Sequence, residues 1–155
     1  MKTVIASLLG SVVLVASLGA AAQVTPEDQI KFRKAGYSFM SWNMGKIKAQ
    51  VIDGSVEYNQ DQIAAAANTI AAIANSGMGA LYGPGTEQNV GNQVTRVEPA
   101  LFDNFPDVIE LSGNFVRAAD NLAEQAASGD QASIRTAFGE LGQSCKACHD
   151  KYRKD

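Results

Sequence analysis

The run Cys145-Lys146-Ala147-Cys148-His149 constrains this 155-residue chain more than any other feature. Two thiols three positions apart, followed at once by an imidazole, form the C-x-x-C-H pattern by which c-type haem is attached. Each thiol adds across one haem vinyl group to give a thioether, and the adjacent histidine binds the iron. On a helix, positions i, i+3 and i+4 point to one side, so the three groups can grip one flat macrocycle. The chain contains no other cysteine and no other histidine.

Other uses of the pattern fit less well. A zinc site wants four ligands, and here only three soft ligands exist, with Glu140 and Asp150 as the nearest acids. A thioredoxin-like C-x-x-C belongs at a helix N-terminus near a βαβ pattern, whereas this one lies near the end of a predicted helix. A disulfide would leave the adjacent histidine a coincidence.

The N-terminus is consistent with export. Met1 and Lys2 give a short positive start, Ile5 to Leu18 is an apolar run broken only by small residues, and Ala20, Ala21 and Ala22 offer a cleavage site. These are the parts of a secretory signal peptide over residues 1–22. The run is too short for a membrane span and no stop-transfer charges follow. The division expected is therefore a removed segment, 1–22, and one domain, 23–155, large enough for a core. The expected location is the periplasm, with no membrane insertion of the mature chain. The formal net charge is -3, and no basic patch is present, which excludes nucleic-acid binding.

The rest reads as four helices. Thr25-Pro26-Glu27-Asp28 is a start signal, with a hydroxyl cap, a first-turn proline and acids facing the dipole. Ile30, Arg33, Tyr37, Met40, Met44, Ile47 and Val51 then follow in steps of three and four, up to Asp53-Gly54. Asn59-x-x-Gln62 opens a second helix carrying Ile63, Ala66, Ile70 and Ile73. A third starts around Asn104 and Pro106, with Val108, Ile109, Phe115, Val116, Ala119 and Leu122 inward. Ser128-Gly129-Asp130 turns into a fourth, where Ile134, Phe138, Leu141, Cys145, Cys148 and Tyr152 repeat the spacing. The segment from Met78 to Asp103, rich in glycine and proline, is a long loop. The fold expected is all-α: an antiparallel four-helix bundle with a long loop between the second and third helices, and the haem motif on the inward seam of the last.

With its haem motif at the C-terminus of an all-helical chain, the sequence resembles the cytochromes c′. The resemblance covers residues 23–155 and is carried by Cys145-Lys146-Ala147-Cys148-His149-Asp150-Lys151-Tyr152-Arg153, Arg33-Lys34-Ala35-Gly36-Tyr37 and Tyr82-Gly83-Pro84-Gly85-Thr86. It implies one covalent haem c held by Cys145 and Cys148. It further implies a five-coordinate iron with His149 as its proximal ligand, Tyr37 over the open sixth position, Arg153 beside the proximal face, and Arg33 paired with a haem propionate. Phe102 stands where many relatives have tryptophan.

Two seam positions depart from apolar character, at Arg33 and Tyr37. A buried guanidinium costs several kcal/mol unless paired, and a propionate is a natural partner. A phenol is neutral at pH 7, a poor iron ligand whose ring can block the sixth site. Met40, Met44 and Met78 are the rivals, since a thioether would give a six-coordinate His/Met electron carrier. The expected function is a periplasmic haem protein that binds nitric oxide and carbon monoxide, for scavenging or storage together with electron transfer. No enzymatic activity is expected, because there is no second histidine and no acid–base pair. A further stripe on the first helix, Phe32, Gly36, Phe39 and Asn43, predicts a homodimer through helices 1 and 2, with Gly36 admitting a helix of the second subunit. No feature names a redox partner.

Overall fold

The computed structural model describes residues 24–154; the expected signal peptide lies outside them. Four helices build the molecule: α1 (Pro26–Val51), α2 (Gln60–Ala74), α3 (Phe105–Ser128) and α4 (Gln131–Tyr152). They form the antiparallel bundle expected. The α2–α3 crossover carries a 3₁₀ turn at Met78–Leu81 and a single α turn at Ala100–Asp103. Among the described residues no helix is long and apolar enough to cross a membrane.

The starts of α1 and α2 follow the signals read from the sequence, and α4 starts at the turn read there, where Asp130 proves to be a cap. Thr25 accepts from the Asp28 N–H, Asn59 from the Gln62 N–H, and Asp130 from the Ala132 and Ser133 N–H groups. Each satisfies donors that have no partner within the helix. The α3–α4 turn is made by Gly129 in the left-handed region, at φ 76°. Gln50 adds a contact that local sequence does not announce: its Oε1 accepts from the Asn59 N–H at 2.8 Å, fixing the end of α1 to the start of α2.

The three-and-four spacing buries what it should. Met40, Ile47 and Val51 of α1 meet Ile63, Ala66, Ala67 and Ile70 of α2, Ala119, Leu122 and Ala126 of α3, and Ile134, Ala137 and Leu141 of α4. Small alanines on α2 and α3 let the backbones approach. Ile109, expected inward, is 69% exposed. The buried residues of α3 are confined to its second half, so the turns around Ile109 overhang the core instead of facing it.

The second α1 stripe also differs from expectation. A Cβ on Gly36 would lie 3.0 Å from Met78 Cε and 3.5 Å from Ile73 Cγ2. Asn43 is buried and donates to Phe39 O at 2.9 Å. Gly36 thus admits the chain's own crossover. What stays exposed is Phe32, Phe39 and Trp42, the last two stacked with ring centroids 5.3 Å apart and Lys46 Nζ 3.7 Å above the indole.

Candidate functional site

The C-x-x-C-H run occupies the last turns of α4, and that end is held firmly. The Lys154 N–H donates to Arg96 O at 2.7 Å and the Glu98 N–H to Tyr152 O at 2.9 Å. The buried Tyr152 hydroxyl donates to Asp107 Oδ2 at 2.6 Å and accepts from Asn104 Nδ2 at 2.9 Å, while Lys151 reaches Asp107 Oδ1 at 2.8 Å. The long loop and the start of α3 thereby prevent the helix end from fraying, which keeps both thiols and the imidazole in helical register.

Cys145 and Cys148 are half-buried free thiols. Burial pushes both up from the ordinary thiol value, and for Cys148 the neighbouring Cys145 adds to it. Both therefore remain S–H at neutral pH. Desolvation and then the charge of Arg153 hold the His149 imidazole below its usual value, keeping it neutral and able to ligate. Arg153 Nη1 lies 3.2 Å from His149 Nδ1.

From α1, Tyr37 reaches the same end of the bundle, close to Cys148 and Cys145. Burial first, then Tyr82, push its phenol far above the ordinary range, so it is neutral at any physiological pH. Burial likewise raises Tyr82. Yet Tyr37 keeps 40% of its surface exposed: its ring lines a wall without being packed into the core.

Arg33 is 3% exposed. Nη1 donates to Leu81 O at 3.1 Å and Thr86 Oγ1 at 2.8 Å; Nη2 donates to Thr86 O at 2.6 Å and Thr95 Oγ1 at 2.7 Å. Four of its five N–H donors are thus taken by the long loop, and Nε–H is left for a further acceptor. The buried cation that the seam flagged has neutral oxygens as its partners here. Thr86, Thr95 and Tyr82 were not legible as site residues. They lie 45 to 62 positions from the α1 groups they meet, and no local pattern links them.

This end of the bundle fits a flat apolar macrocycle. Seam residues Val108, Phe115, Cys145 and Cys148 are only partly buried here, whereas Ile47, Ile63, Leu122 and Ile134 at the far end are completely so. The donor set is two thiols and one imidazole on one side of one helix. Among the described residues no three His, Cys, Asp or Glu side chains gather to hold a metal ion by themselves. Met40 is buried in the core and Met44 packs against it, so packing accounts for both.

Fold and site together define a c-type haem protein built on a four-helix bundle. Comparison with known proteins makes this specific. Residues 28–153 match the family model described as Cytochrome C′. A cytochrome c′ of Allochromatium vinosum is 56% identical over 155 residues, spanning 99% of each chain. A solved cytochrome c′ described as having an unusual ligand-controlled dimer dissociation superposes with a TM-score of 0.83. It is 57% identical and covers 86% of this chain and 100% of its own. Single-residue variants of that of Alcaligenes xylosoxidans, at 30% identity and a TM-score of 0.73 over 84% of this chain and 98% of its own, have been solved, one with carbon monoxide bound and another with nitric oxide. The chain belongs to the cytochrome c′ family, whose members are non-enzymatic haem proteins carrying one covalent haem c.

Proposed function

We propose that this chain is an exported gas-binding haem protein with a five-coordinate iron, taking nitric oxide and carbon monoxide at the sixth position. The observation that carries the reading is the placement of the Tyr37 phenol, hydrogen-bonded to Tyr82, on the α1 turn that faces the C-x-x-C-H end of the bundle, with Met40 and Met44 engaged in packing. The ligand complexes of the Alcaligenes xylosoxidans relative support it. Bound haem would supply an iron able to take a diatomic ligand.

The chain supplies the rest. Cys145 and Cys148 would hold the macrocycle by thioethers, and His149 would ligate the iron through Nε2. Arg33 braces the loop against the site and offers Nε–H to a haem propionate. Tyr37 would cover the distal side and admit slim neutral ligands. A guanidinium only donates, so in the arrangement observed His149 Nδ1 accepts from Arg153 and the ring proton sits on Nε2. For His149 to ligate through Nε2 its ring proton would have to sit on Nδ1, and Arg153 would then turn off the ring edge.

Residues 1–22 are read as removed on export to the periplasm. There the protein would scavenge or store nitric oxide and exchange electrons. The exposed Phe32, Phe39 and Trp42 support a homodimer through α1 and α2, as does the dimer of the relative with 57% identity. Tyr37 and Phe39 share one helix, so displacing Tyr37 shifts the face that Phe39 presents and should loosen the dimer.

Absorption and EPR spectra of the purified ferric protein test the coordination number. A high-spin or spin-mixed spectrum is expected. A fully low-spin spectrum would overturn the reading in favour of the methionine-ligated electron carrier.

A further inference from the structure

Tyr82 stands between a buried cation and the Tyr37 phenol. Its hydroxyl is hydrogen-bonded to Tyr37 Oη at 3.3 Å, and the Arg33 guanidinium carbon lies 4.7 Å from its ring centroid. Both backbone neighbours of Tyr82 are tied to α1 as well. Leu81 O accepts from Arg33 Nη1, and the Gly83 N–H donates to Gln29 Oε1 at 2.9 Å. The approach is close, since a Cβ on Gly83 would meet Gln29 Oε1 at 2.6 Å. A loop residue is thus fixed in the frame of the first helix by its ring, its hydroxyl and both flanks.

We propose that Tyr82 is a positioning residue for the distal gate: it tethers the Tyr37 phenol in its resting place, so that an entering diatomic ligand must break the Tyr37–Tyr82 hydrogen bond as well as move the ring. This rests on the reading of Tyr37 as that gate.

Two physical points support it. The partner hydroxyl cannot follow Tyr37 outward, because the Tyr82 ring lies against a guanidinium that itself makes four hydrogen bonds. And 3.3 Å is long for a hydroxyl pair, so the bond is weak enough to yield to a ligand and strong enough to bias the closed position.

The test is a double-mutant cycle on the haem-loaded protein. Carbon monoxide association is followed by stopped flow in the wild type, Tyr82→Phe, Tyr37→Phe and the Tyr37→Phe/Tyr82→Phe double variant, with Tyr37→Ala as the gate control. Phenylalanine at 82 keeps the ring against Arg33 and removes only the tether. Tyr82→Phe should bind carbon monoxide about two- to tenfold faster, the effect of losing one neutral hydrogen bond. The double variant should be no faster than Tyr37→Phe, since both remove the same bond.

Denaturant unfolding gives a readout independent of rate. The two hydroxyls should be coupled in the ligand-free protein and uncoupled in the carbon monoxide complex, where the tether is already broken. If Tyr37→Ala accelerates binding but Tyr82→Phe matches the wild type, or the two hydroxyl removals add, Tyr82 does not position the gate, while the gate itself stands. If Tyr37→Ala matches the wild type, the gate reading falls and this inference with it.

Discussion

Arg153 Nη1 lies 3.2 Å from Nδ1 of His149, one helical turn back on the chain. That contact puts a permanent positive charge beside the only histidine. A cation at this point opposes the added positive charge of ferric iron. Arg153→Ala should therefore lower the reduction potential, by on the order of tens of millivolts, the size of a charge–charge interaction at a half-solvated site. A redox titration of the two proteins measures it; equal potentials would show that Arg153 leaves the proximal side when haem is bound.

In the proposed site, covalent attachment would rest on Cys145 and Cys148. After acid–acetone extraction the colour should stay with the polypeptide, and the intact mass should exceed that of the bare chain by one haem. With both cysteines replaced by serine, haem should extract or be absent. Free extraction from the wild type, or zinc in the purified protein, would remove the basis of the site.

Phe39 is half exposed and stacked on Trp42. Phe39→Lys puts a charge into that apolar face and should shift sedimentation at micromolar concentration toward the monomer, with the haem spectrum unchanged. A wild-type protein that sediments only as monomer in the unliganded state would argue against the dimer altogether.

Two glycines separate conformational need from open space. Gly129 has φ +76°, and a Cβ there would fall 2.7 Å from Gln60 Nε2. Gly129→Ala should destabilise the fold by about 1–2 kcal/mol through left-handed strain alone, with the contact adding to it. Gly139 is on α4 with nothing within 4 Å of its would-be Cβ, so Gly139→Ala should stabilise by up to about 1 kcal/mol. Urea unfolding distinguishes the two, and equal effects would refute the assignment.

Asp107 ties α4 to α3. The hydrogen bond from Lys151 first, then that from Tyr152, hold its carboxyl below the ordinary value. A depressed carboxyl contributes stability that is present above its unfolded pKa and lost as pH falls through the folded one. The melting temperature should thus fall on acidification below about pH 4. Asp107→Asn should remove part of that slope and start from a lower value at pH 7. A variant with the wild-type pH profile would show that the network does not control the helix end.

Much of this molecule is written within short stretches of chain. The caps at Thr25, Asn59 and Asp130, the seam from Ile30 to Val51 and the one-sided placement of Cys145, Cys148 and His149 are relations between residues three or four apart. Helix geometry alone enforces them. For that reason the bundle and the haem motif were legible before any tertiary contact was known.

Tertiary structure decided what the irregular segment does. Arg33 was recognisable as a buried cation, but its partners Leu81, Thr86 and Thr95 depend on the path of a glycine-rich crossover that has no period to read. Gly36 and Asn43 belonged by spacing to an outer stripe, and Met78 and the helix backbone claim them instead. Ile109 had the spacing of a core residue, yet its stretch of α3 overhangs the core. Spacing fixes which residues share a helix face. What that face meets is set by where distant segments come to rest, and this decided that Tyr82 ends against Tyr37.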